Sequence, residues 1–187
     1  MKHLIPILFT VILALGVLVK ASAQVEFVVP MRGGWNMISA PVIPVDPRTE
    51  VMFREIVRRD NLIILKDGDG RYYLPRWEFI NLPPWDFRKG YQVKLANDDT
   101  QTITGELVDP ETPIPLRRGW NIVAFFPEQR LQAWNAFFNI RRQLIIAKDV
   151  KGHFFYYSLE MLVLLMERGQ GYQVKVSENV ELVWLQE

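Results

Sequence analysis

The chain is predicted to fold as an α+β protein of two homologous β-α-β-β-α-β-β units, with mainly antiparallel sheets packed about a pseudo-twofold axis. Three observations lead there. Gly34-Trp35-Asn36-Met37-Ile38 returns as Gly119-Trp120-Asn121-Ile122-Val123, Leu62-Ile63-Ile64-Leu65-Lys66-Asp67 returns as Leu144-Ile145-Ile146-Ala147-Lys148-Asp149, and Gly90-Tyr91-Gln92-Val93-Lys94 returns as Gly171-Tyr172-Gln173-Val174-Lys175. Such collinear recurrence marks a duplicated supersecondary unit with small loop deletions. Short apolar runs flank turn dipeptides such as Asp69-Gly70 and Lys151-Gly152, a hairpin signal because Gly reaches positive φ without strain. Helical patterns are few and short beside the strands, which favours α+β over a doubly wound parallel sheet.

The N-terminus comes first. Lys2 and His3, an apolar run from Leu4 to Val19, and Ala21-Ser22-Ala23 make a signal-peptide pattern over residues 1–23. The apolar run is short for a bilayer span, which needs about 20 residues. Removal of this segment takes Lys2 and Lys20 away and leaves 20 basic against 21 acidic side chains. A near-neutral chain without a basic stripe argues against nucleic acid as a partner. The chain holds no cysteine. Its stability must therefore come from packing, and a lipid anchor on an N-terminal thiol is excluded.

Unit 1 spans 24–109. Gln24 to Pro30 reads as a strand, Gly33-Gly34 as a turn, and Trp35 to Val42 as a strand. Pro41, Pro44 and Pro47 mark a loop, with Thr49 as the N-cap of a helix over 51–59 whose Met52, Phe53 and Ile56 share a face. Strands follow at 62–65 and 71–74, then an irregular helical segment over 77–82, then strands at 90–95 and 100–107. Unit 2 spans 110–187. A proline-stiffened connector at 110–115 leads to strand 120–126, helix 131–140, strands 144–148 and 153–157, helix 158–167, and strands 171–176 and 180–185.

Candidate chemistry is sparse. Asp67-Gly68-Asp69-Gly70 resembles the start of a calcium loop, but Arg71 stands where a ligand is needed, and Asp149-Val150-Lys151-Gly152 holds the same place in unit 2. A hairpin turn is the better reading. After the signal segment the one histidine is His153, too few for a zinc or copper site. No carboxylate pair stands out for two-acid hydrolysis, so neither catalytic residues nor a cofactor or metal is expected. Asn36 and Asn121 are expected to bond a turn backbone, and Trp35, Trp120, Tyr91 and Tyr172 to pack in the core or at the Gly-Trp-Asn corner. Trp77, Trp85, Trp134 and Trp184 have no like residue in the other unit. They are therefore the candidates for a partner-binding surface, and replacing Trp77 or Trp85 by Ala should weaken binding with the fold intact.

At Gly34 to Ser39 with Pro41, Lys66-Asp67 with Gly70, Gly90 to Lys94 and their second copies, the chain resembles the Gly-Trp-Asn-Leu-Ile-Ser repeats of secreted and cell-surface bacterial proteins. The resemblance covers nearly all of the chain after residue 23. It implies location and architecture rather than an activity. The expectation is an exported, non-enzymatic interaction or structural module, secreted to the periplasm or the exterior, with no membrane span after cleavage. It would bind a protein or glycan at the cell surface, or assemble with itself. A carbohydrate-binding module and a carboxylate-dependent hydrolase are the alternatives.

Overall fold

The computed structural model describes residues 23–157 and 164–184. The signal-peptide assignment and most of the helix expected over 158–167 lie outside them. Among the described residues there are sixteen strands in five antiparallel sheets, and three α-helices of four or five residues each. The fold is mostly β. The expectation of an α+β protein with β-α-β-β-α-β-β units is thereby corrected.

Unit 1 runs β1 (Gln24–Met31), β2 (Gly34–Ile38), β3 (Val42–Pro44), α1 (Thr49–Met52), α2 (Arg54–Arg58), β4 (Leu62–Lys66), β5 (Tyr72–Leu74), β6 (Phe79–Ile80), β7 (Tyr91–Leu95) and β8 (Asp99–Leu107). Its sheets are ordered β2-β7-β4-β5-β6 and β1-β8-β3. Unit 2 runs β9 (Ile114–Leu116), β10 (Gly119–Val123), β11 (Leu131–Gln132), α3 (Ala133–Ala136), β12 (Leu144–Lys148), β13 (Phe154–Phe155), β14 (Leu165–Met166), β15 (Tyr172–Val176) and β16 (Val180–Leu182). Its main sheet, β10-β15-β12-β13, repeats the unit 1 order, and β9 pairs with β16 as β1 pairs with β8.

The helix expectations fail for local reasons. The helix expected over 51–59 is split where Phe53 leaves helical geometry (φ −94°, ψ 7°), and it ends before Asp60 at φ 51°. Phe53 and Ile56 are fully buried, so tertiary packing rather than helix propensity shapes this segment. Arg48 occupies the N-cap position, while Thr49 lies inside the first turn with its hydroxyl buried and unpaired. The helix expected over 131–140 becomes β11, α3 and one 3-10 turn at Phe138–Ile140. At the end of the helix expected over 158–167, Leu165–Met166 is a strand paired with β11. The segment expected as helical over 77–82 is a 3-10 turn at Pro75–Trp77 followed by β6, with Glu78 in the left-handed region. Strand β2 stops at Ile38, four residues earlier than expected, and the proline connector contributes β9.

The two units meet on a pseudo-twofold axis. Gly90 N–H donates to the Ile122 carbonyl at 3.0 Å, and Gly171 N–H donates to the Met37 carbonyl at 2.9 Å. Ala124 N–H to Arg88 and Ser39 N–H to Gly169 repeat the relation at 3.0 and 3.1 Å. A Cβ on Gly90 would stand 3.1 Å from the Gly171 Cα, and one on Gly171 3.2 Å from the Gly90 Cα. Both positions must be glycine because the two backbones touch there. Each unit keeps its own apolar core, and Phe87 of unit 1 reaches across to pack on that of unit 2.

Candidate functional site: a duplicated Trp–Lys face at the unit junction

The Gly-Trp-Asn corner is built identically in both units. Gly34 and Gly119 take φ of +92° and +99°. The Asn36 side chain accepts from Arg32 N–H at 2.9 Å and donates to the Arg32 and Gly34 carbonyls; Asn121 does the same with Arg117 and Gly119. With Gly supplying the turn and Asn clamping it, the side chain between them is turned outward. Trp35 and Trp120 are accordingly 47% and 49% exposed, so of the two expected places, core or corner, they take the corner.

Each ring leans across the neighbouring strand. Trp35 pairs with Lys94 on β7, and the ammonium of Lys66 on β4 stands 4.9 Å from the ring centroid, that of Lys94 5.8 Å. The copy reproduces this with Lys148 at 5.1 Å and Lys175 at 5.8 Å from Trp120. An exposed cation–π contact contributes about 0.5–1 kcal/mol. Among the described residues none of these four lysines forms an ion pair with a carboxylate.

The two faces meet at the axis. Lys66, Asp67 and Gln92 of unit 1 line a depression of about 200 Å³ together with Trp120, Ile122 and Gln173 of unit 2, and the Asp67 carboxylate there is paired with Arg71. A second cleft of about 330 Å³ lies on another side of Trp120, between Asp69, Asp86, Arg88 and Lys89 of unit 1 and Ile114 to Arg117 of unit 2. Partial burial alone would raise the Asp69 carboxyl; the hydrogen bond from Lys89 and the charges of Lys89, Arg71 and Arg117 hold it below the usual carboxylate range. Asp86 is paired with Arg88 at 3.0 Å. Both clefts thus present charged groups beside the Trp120 indole.

Of the four tryptophans singled out in sequence, two are buried and two are exposed. Trp85 and Trp184 are 4% and 0% exposed. Trp85 stacks on Tyr91 at 3.9 Å, and Trp184 packs against Phe125 and Phe137 at 5.1 and 5.5 Å. Trp77 is 73% exposed on the β5–β6 connection, and Trp134 is 47% exposed on α3 beside Phe155 and Tyr157. The residues that sequence reasoning passed over are Trp35, Trp120 and their lysines. The signal was present: alternation along β7 and β15 sets Gln92, Lys94, Gln173 and Lys175 on the face opposite the buried tyrosines and valines.

The expected hairpin turns are formed by their own carboxylates. Asp67 accepts from the N–H groups of Asp69 and Arg71 and pairs with the Arg71 guanidinium at 2.6 Å. Asp149 accepts from Lys151 and His153 N–H and meets the His153 ring at 2.7 Å. These acids are engaged in turn geometry. No helix among the described residues is long and apolar enough to cross a membrane. Comparison with protein-family models, with curated proteins and with solved structures finds no match.

Proposed function

We infer that the chain is an exported, non-enzymatic binding module whose two units are joined to present one composite face to a partner at the cell surface. The observation behind this is the retention of Trp35 and Trp120 at equivalent positions, each about half exposed and each beside two lysines with no acidic partner among the described residues. Packing alone gives little reason to keep a large aromatic on a solvent-facing sheet, whereas exposed indoles are recurrent anchors of recognition. The signal-peptide pattern of residues 1–23 and the resemblance to secreted Gly-Trp-Asn-Leu-Ile-Ser repeats support a site of action outside the cytoplasm.

The test is co-sedimentation of the purified protein with insoluble cell-envelope material. Wild type is expected in the pellet, and the Trp35→Ala/Trp120→Ala variant in the supernatant, with unchanged circular dichroism. Equal pelleting of both would remove the face from the account. A second reading, self-association, is favoured by the β6 edge, where Phe79, Ile80 and Trp77 are exposed and β6 has no further neighbour in its sheet among the described residues. Light scattering over a wide concentration range separates the two, because growth into large species belongs only to the second.

A further inference from the structure

We propose that the ligand of this face is a linear anionic glycan, laid across the pseudo-twofold axis from Trp120 to Trp35. The inference rests on the binding-module reading above and specifies its ligand. Three features point to that chemistry. The indoles are the flat apolar surfaces on which the C–H faces of pyranose rings stack. Lys66, Lys94, Lys148 and Lys175 supply positive charge that no carboxylate of the described residues neutralises by ion pairing, so these ammonium groups are open to the acidic groups of a ligand. Gln92 and Gln173, both half-buried in the central depression, offer amide donors and acceptors suited to hydroxyl groups.

The geometry also explains why the ligand should be a chain of repeating units. Lys66 rests on Trp35 and at the same time lines the depression beside Trp120, so it links the two indoles. A polymer with the same sugar and acid group in each repeat can use both halves of a duplicated surface, where a single small sugar can use one. In the free protein the ammonium groups lie against the rings. An anionic substituent draws them toward itself, which weakens the cation–π attraction and frees the ring for stacking.

The test is affinity electrophoresis of the full protein through gels containing polygalacturonate, chondroitin sulfate, neutral dextran or duplex DNA, with tryptophan fluorescence followed in parallel. Retardation by the carboxylated or the sulfated glycan is expected, distinguishing the two sources of negative charge, with affinity falling as salt is added. Lys66→Gln/Lys148→Gln should weaken it about tenfold, a change of about 1.4 kcal/mol. Because these lysines are half-buried surface groups, the variant retains the fold, which circular dichroism checks. Retardation by dextran alone would overturn the anionic ligand while keeping a binding module. Equal retardation by DNA would mean unselective attraction of polyanions and would also overturn it. No retardation and no fluorescence change with any acidic glycan would overturn it too. If envelope co-sedimentation were then also independent of Trp35 and Trp120, the binding-module reading would fall with it.

Discussion

The two units agree on their outer face and differ in their cores. Trp35 with Lys66 and Lys94, and Trp120 with Lys148 and Lys175, are like for like and exposed. Inside, each unit buries one tryptophan from a different place. Unit 1 uses Trp85, stacked on Tyr91, where the corresponding residue of unit 2 is Met166; unit 2 uses Trp184 where unit 1 has Ile103, with Phe125 in place of Ala40. A core needs filled volume and tolerates exchange of the residue that fills it. A recognition surface needs particular groups at particular places.

Breaking that comparison calls first for the buried tryptophans. Trp85→Ala and Trp184→Ala should each cost about 3–5 kcal/mol in denaturant unfolding, the range for deleting a large buried aromatic. Transplanting the other unit's solution sharpens the point. In Trp85→Met/Ile103→Trp the loss should be smaller than the sum of the single losses, with a coupling of about 0.5–3 kcal/mol. Strict additivity would mean that the two positions do not share the same space.

Next come the axis glycines. The Cβ of Gly90→Ala would sit 2.7 Å from the Ile122 Cγ2 and 2.9 Å from the Val123 carbonyl, and that of Gly171→Ala 2.9 Å from the Ile38 carbonyl. Each should cost about 1–3 kcal/mol, by overpacking the contact that holds the units together. The double variant should lose less than the sum, because both alanines act at one contact.

The smallest expected effect separates the units by pH. Burial would raise the Asp99 carboxyl, but the Asn61 amide, the Thr100 N–H and the Arg59 guanidinium hold it below the ordinary value. Its counterpart in unit 2 is Val180. A depressed carboxyl stabilises the fold above its unfolded pKa of about 3.9, and this is lost as pH falls through the lower folded value. Asp99→Asn should therefore flatten part of the acid loss of stability below about pH 4. An unchanged acid limb would assign that loss to other carboxylates.

Much of the fold could be read from the chain. Gly34, Asn36 and their copies marked the corners, and Asp67 and Asp149 the hairpins, because these residues act locally through φ and side-chain hydrogen bonds. The helices were misjudged because periodicity at Met52, Phe53 and Ile56 does not tell a continuous helix from two broken turns pinned by one buried ring. Strands β3 and β9 were hidden by Pro44 and Pro115, which read as loop but are tolerated where a strand lies at a sheet edge. A tryptophan without a match in the other unit reads as a surface ring. That reading fails at Trp85 and Trp184 because packing compensates between positions far apart in sequence.

The most direct measurement compares two double variants in the envelope co-sedimentation assay. Trp35→Ala/Trp120→Ala removes the retained rings, and Trp77→Ala/Trp134→Ala removes exposed rings present in only one unit each. Both should remain folded. Each Trp35 or Trp120 replacement should cost about 2–4 kcal/mol, from two cation–π interactions of about 0.5–1 kcal/mol each and the apolar area of a half-buried ring. The account predicts loss of pelleting in the first variant and wild-type pelleting in the second. Wild-type pelleting in the first and loss in the second would contradict it, and would move the binding surface to the features the two units do not share.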